Sequence, residues 1–186
     1  EIYSVPLDGS AAPVRLNGTL VAGGRVVASV GGQRPFQLTS DGARVVYRAD
    51  QLVAGRHELF AAPIAGGFAP RISGTLVTGG DVTEFQVTPD SLGVVFRADR
   101  VTDDVAELFG VPFGGGVFTL SAPLVADGDV LDFQISADDL SVIYRADLEL
   151  DARDELFRVA ITGGASTKLN GALANGGDVR SGCVVN

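Results

Sequence analysis

The line Phe36-Gln-Leu-Thr39 through Val45-Val-Tyr-Arg-Ala-Asp50 occurs three times in this chain. It returns as Phe85-Gln-Val-Thr88 through Val94-Val-Phe-Arg-Ala-Asp99 and as Phe133-Gln-Ile-Ser136 through Val142-Ile-Tyr-Arg-Ala-Asp147, its phenylalanines 49 and 48 residues apart. Self-similarity at a fixed period confines a chain to repeat architectures, in which each unit hides its apolar face against the next. Two more signatures keep the same phase. Glu58-Leu-Phe60, Glu107-Leu-Phe109 and Glu155-Leu-Phe157 each run into glycines, and Glu1-Ile-Tyr3 opens the chain on the same element. Gly23-Gly-Arg-Val26, Gly79-Gly-Asp-Val82, Asp127-Gly-Asp-Val130 and Gly176-Gly-Asp-Val179 close the units.

Within a unit the runs are short, rich in Val, Ile, Phe and Tyr, and punctuated by Gly, Asp, Pro and Ser, the pattern of strands joined by tight turns. In the clearest copy the strands are expected at 81–88, 92–98, 106–112 and 117–124. No stretch sustains the i, i+3, i+4, i+7 apolar spacing of a helix. Four short antiparallel strands every 48–49 residues predict an all-β chain of β-propeller-type blades. The expected division is a half-blade at 1–24, blades at 25–77, 78–126 and 127–175, and a trailing strand at 176–186, all one repeat domain. One interruption stands out: Gly24 to Phe36 spans seven residues more than Gly80 to Phe85, so Arg25 to Pro35 is an insertion and a candidate contact loop.

The runs Thr-Pro-Asp90, Val94-Val-Phe-Arg-Ala-Asp99, Glu107-Leu-Phe109, Pro112 and Gly115-Gly116 resemble the TolB-type, WD40-like repeat of bacterial envelope and secreted propellers. The resemblance covers essentially the whole chain. It implies a propeller fold outside the bacterial cytoplasm, working as an interaction platform or accessory domain. Only Pro89 matches the proline that the pattern carries before its turn acid, Ser40 and Ala137 standing there in the other copies, while Asp41, Asp90 and Asp138 all keep the acid. An aspartate so placed can accept a hydrogen bond from its own downstream backbone and fix the hairpin turn.

Composition narrows the partners. Of 186 residues 46% are hydrophobic and 20% charged, enough apolar surface to fold, and no apolar run approaches the about 20 residues of a membrane span. A net charge of −9, from 23 acids and 14 bases, disfavours nucleic acid. The expected partner is a second copy or another protein.

Chemistry has few places to reside. His57 is the one histidine and Cys183 the one cysteine, too few for a catalytic triad or a zinc site. His57 aligns with Ala106 and Asp154, so it reads as an exposed hairpin residue, and Cys183 as a small buried hydrophobe. Carboxylates are the abundant resource. Asp99, Asp103 and Asp104, and Asp147, Asp151 and Asp154, have the oxygen chemistry of a calcium site, but the first copy keeps only Asp50 and Glu58. The expected cofactor is therefore none, with calcium the lesser alternative. Arg48, Arg97 and Arg145 lie two residues before Asp50, Asp99 and Asp147 on one strand face, which together with Glu58, Glu107 and Glu155 predicts an ion-pair ladder between blades.

The phase of the ends is the last signal. The chain opens at the third strand of one blade and closes on the first strand of another. Glu1, Ile2 and Tyr3 at one end and Val179, Cys183, Val184 and Val185 at the other are then candidate assembly residues, since an incomplete sheet edge is a template for another strand. The ends can close on each other as a small four-bladed ring, pair with another copy, or mark a piece of a longer repeat protein. The function expected is a non-catalytic, self-assembling structural module in an extracellular or envelope setting. The alternative is a ligand-binding or substrate-gating propeller domain of a larger secreted enzyme.

Overall fold

The structure, a computed structural model, describes residues 1–27 and 34–180. These residues form thirteen strands and no helix, and so no helix long and apolar enough to cross a membrane. Strands β1 (Tyr3–Ser4) and β2 (Val14–Arg15) make a two-stranded remnant sheet. The first full blade holds β3 (Phe36–Leu38), β4 (Arg44–Ala49) and β5 (Glu58–Pro63). The second holds β6 (Val82–Val87), β7 (Gly93–Ala98), β8 (Glu107–Pro112) and β9 (Phe118–Thr119), and the third β10 (Val130–Ile135), β11 (Ser141–Ala146), β12 (Glu155–Ala160) and β13 (Thr167–Lys168). Every pairing is an antiparallel meander between sequence neighbours.

The second blade corrects the expected strands at its outer edge. Its fourth strand covers Phe118–Thr119 rather than 117–124, and in the first blade that strand shrinks to one bridge, Phe60 to Arg71. Outer-edge residues pack on one side only, so little burial rewards a long ladder there.

The central two strands carry the core. The aromatic of the second strand faces the aromatic of the third in all three blades, as Tyr47–Phe60, Phe96–Phe109 and Tyr144–Phe157, with ring centroids 5.6, 5.4 and 5.6 Å apart. Neighbouring sheets then bury one another. Ile2 and Leu16 of the remnant pack on Val45, Tyr47 and Phe60; Val46 and Leu59 pack on Phe85, Val94 and Phe96; Val95 and Leu108 pack on Phe133, Val142 and Tyr144. Each fully buried side chain of this size contributes about 1.5–3 kcal/mol.

The closing glycines have a steric cause. A Cβ on Gly24 or Gly128 would stand 2.6 Å from the carbonyl oxygen of Asp50 or Asp147, so the chain can cross the end of the second strand only where no side chain exists. Pairing holds on both sides of the insertion. Val26 still bridges Ala49 and Phe36 still pairs with Tyr47, as Val82 and Phe85 pair with Ala98 and Phe96. In the second and third blades the same place holds a one-residue bulge at Thr83 and Leu131.

Candidate functional site

Repeated side chains lock each seam between full blades. The first is a glutamine that no reading of charge would single out. Gln37 donates from Nε2 to the Phe85 carbonyl at 3.0 Å and accepts the Val87 N–H at 3.0 Å; Gln86 repeats this on Phe133 and Ile135 at 3.1 and 3.2 Å. The Phe-Gln pair in all three copies is the sequence signal that could have revealed it.

The second is the repeated arginine, which meets backbone carbonyls across the seam. Arg48 Nη1 donates to the Val82 carbonyl at 3.1 Å and to that of Thr83, while Arg97 Nη1 donates to Val130 at 3.1 Å and to Leu131. Thr83 and Leu131 are the bulge residues. A bulge takes carbonyls out of their own ladder, and the guanidinium of the preceding blade satisfies them. Arg145 does form ion pairs, with Asp132 at 2.9 Å and Asp154 at 2.8 Å, and also reaches the Val179 carbonyl at 3.2 Å.

The repeated Asp50, Asp99 and Asp147 face backbone rather than arginine. They accept the N–H of Arg25, Asp81 and Asp129, each at 2.5 Å, pinning the start of a blade to the end of its second strand. Asp81 and Asp129 in turn accept the N–H of His57 and Ala106 in the preceding blade at 2.5 and 2.7 Å. His57 is thus half-buried on a seam rather than an exposed hairpin residue, its Nδ1 3.4 Å from Asp81.

The turn aspartates share one geometry. Asp41, Asp90 and Asp138 accept the N–H of Ala43, Leu92 and Leu140 at 2.9, 2.8 and 3.1 Å. Each also accepts the hydroxyl of Thr39, Thr88 or Ser136, the largest cause holding its carboxyl below the ordinary value.

The glutamate column is uneven. Glu58 is fully buried with Arg71 at 2.8 Å and Arg56 at 3.4 Å, and Glu155 is buried with Lys168 at 2.5 Å. In the second blade Thr119 occupies the pairing position of Arg71 and Lys168, and burial pushes the Glu107 carboxyl up.

Of the two acidic loops, one converges. Asp99, Asp103 and Asp104 bring carboxylate oxygens within 4.8 Å of one another, the one such group among the described residues. Asp99 already accepts the Asp81 N–H, and Asp103 and Asp104 are exposed. Asp147, Asp151 and Asp154 do not converge; Asp147 accepts the Ala152 N–H at 3.1 Å and Asp154 is held by Arg145. Gly55, Asp104 and Ala152 all take positive φ, of 80°, 60° and 57°, so the three loops turn alike although the first has no acid beyond Asp50 and Glu58.

The end faces differ from the internal seams. Phe36 and Leu38 are 44% and 54% exposed where Phe85 and Phe133 are 3% and 6%. Tyr3 is 52% exposed, for no second-strand aromatic faces it; its hydroxyl donates to Glu1, which also pairs with Arg15 at 3.3 Å. Ile2 is buried, its N–H donating to Asn17 at 2.8 Å. At the other end Val179 N–H donates to the Asp154 carbonyl at 2.9 Å, the seat that Val82 and Val130 take on His57 and Ala106 at 2.8 Å. Gln134 is exposed and makes neither clasp bond to a described residue. Cys183, Val184 and Val185, like residues 28–33 of the insertion, lie outside the described residues.

No family model and no curated protein matches this chain. Solved structures do. One, a candidate TolB from Agrobacterium tumefaciens, superposes with a TM-score of 0.56 at 15% identity over 75% of this chain and 47% of its own. The chain thus spans about half of that structure, and the likeness establishes an all-β, propeller-type fold with incomplete blades.

Proposed function

We propose that the chain is a non-catalytic interaction module that joins a second copy of itself by completing an end blade. The observation that carries this is the seat of Val179. Its N–H and carbonyl bind Asp154 and Arg145 as the first strand of a following blade does, while β1 and β2 hold the third- and fourth-strand places of a blade whose other two places no described residue fills. One end begins what the other finishes. Contacts between unlike ends propagate as rings or filaments. Repetition of the clasp chemistry at both seams between full blades gives the repeated carboxylates and arginines structural duties, which supports a binding rather than a catalytic role. An extracellular or cell-envelope setting follows from the resemblance of the repeat to envelope propellers.

A second reading is favoured by the chain spanning 47% of the TolB-like structure: the same end faces are covered by further blades of a larger protein. Hydrogen exchange of residues 1–7 across a concentration series separates the two. Amides along the open edge of β1 gain protection with concentration if copies complete the blade; protection independent of concentration contradicts self-joining.

A further inference from the structure

The outer face of the third blade repeats the near side of a seam. Gln134 stands where Gln37 and Gln86 stand, yet it is exposed while they are half-buried. Ile143, paired with Gln134, and Leu156, paired with Arg145, are partly exposed. Their counterparts Val46, Val95, Leu59 and Leu108 are at most 1% exposed. A hollow of about 530 Å³ lies over this face, with Gln134, Ser141, Ile143 and Arg158 in its lining.

At both seams between full blades the clasped strand is the one that follows directly in the chain, and it enters by fixed steps. A valine N–H donates to a carbonyl of the preceding blade, Val82 to His57 and Val130 to Ala106, and the same valine's carbonyl accepts from Arg48 or Arg97. Three residues on, at Phe85 or Phe133, a carbonyl accepts the glutamine amide. Five residues on, at Val87 or Ile135, an N–H donates back to the glutamine. Val179 makes both entry contacts, its N–H to Asp154 and its carbonyl to Arg145. The same steps counted from Val179 arrive at Gly182 and Val184, among the residues that follow the described ones.

We propose that residues 181–186 dock on this face as its clasped strand, with Gln134 donating from Nε2 to the Gly182 carbonyl and accepting the Val184 N–H at Oε1. The tether selects this occupant. With Val179 seated, the residues after it are held beside Gln134 at high effective concentration, which a strand arriving from another chain must overcome. Val184 takes the place of Val87 and Ile135 and covers Ile143. Gly182 brings no side chain where Phe85 and Phe133 bring a ring, so the backbone clasp carries most of the docking. The proposal goes beyond the joining of copies, since it needs no second chain and holds whether or not β1 meets one.

The test is amide hydrogen exchange of the full chain, followed residue by residue by NMR at low and at high protein concentration. Two variants accompany it: Gln134→Ala removes the clasp from an exposed position, and Gly182→Phe restores the ring of the internal seams. The expected result is a Val184 amide that exchanges about tenfold more slowly in the parent than in Q134A, as loss of one hydrogen bond implies. The slowing is equal at both concentrations and greater in G182F, while the amides of Val142 and Tyr144 are unchanged in Q134A because the blade itself stays folded. A Val184 rate that Q134A leaves unaltered would overturn the clasp. Protection of Val184 that grows with concentration would overturn docking within one chain and assign the face to a second copy; the amides of β1, read in the same spectra, report separately on the joining of copies.

Discussion

Gly128 shows how much of this fold is decided by single atoms. With the Asp147 carbonyl 2.6 Å and the Val125 carbonyl 3.1 Å from where a Cβ would be, Gly128→Ala must displace backbone on both sides. The expected cost is about 1–3 kcal/mol, measured by urea unfolding, against near neutrality for Gly171→Ala, which has open space. Asp139 gives a prediction of opposite sign. Burial is the largest cause raising its carboxyl above the ordinary value, with the Asp90 charge adding to it. For an acid whose pKa rises on folding, stability is fully present below the unfolded value and declines as pH climbs through the folded one. Asp139→Asn should therefore raise Tm at pH 7, with the gain vanishing in acid below the unfolded value; a gain that persists there contradicts the assignment. The turn acids run the other way: Asp41 and Asp138, held low first by the Thr39 and Ser136 hydroxyls, contribute stability that is lost as pH falls through their depressed values. The turn acids were legible because an aspartate bonds locally, to backbone two residues on. The state of Asp139 was not, because it is set first by burial beside a neighbouring blade whose Asp90 lies 49 positions away in the chain.

At the scale of elements the seams carry the cooperativity. Gln86→Ala removes both bonds to β10 and leaves the Phe133 carbonyl and Ile135 N–H to find other partners in a crowded seam, at an expected cost of about 1–3 kcal/mol. Gln134→Ala, made at the exposed end, should cost an isolated chain far less, and the comparison by thermal unfolding at low protein concentration tests whether the clasp acts across seams. Strand positions were readable from alternation and turn residues, and the central strands fall within a residue of expectation. Alternation also placed Arg48 and Arg97 on the seam-facing side. It could not tell what they meet there, since the carbonyls are turned outward by bulges at Thr83 and Leu131, which no periodicity announces.

At the scale of the whole molecule, two seams of like construction join three blades, a remnant sheet packs on the first blade, and the two ends expose what the seams bury. Phe36, Leu38 and Tyr3 at one end have internal counterparts that are covered, and Val179 at the other sits in the register of a blade to come. The repeat and its phase made this much visible in the sequence. The most direct measurement is the particle mass by light scattering behind size exclusion, over a concentration series, for the parent and for Tyr3→Asp. That substitution charges a half-exposed position outside the buried cluster of Ile2, Leu16, Tyr47 and Phe60, so it leaves the single chain folded. The account predicts multiples of the 19.1 kDa chain for the parent and a shift to the single chain for Y3D. A parent that remains one chain at every concentration would contradict it.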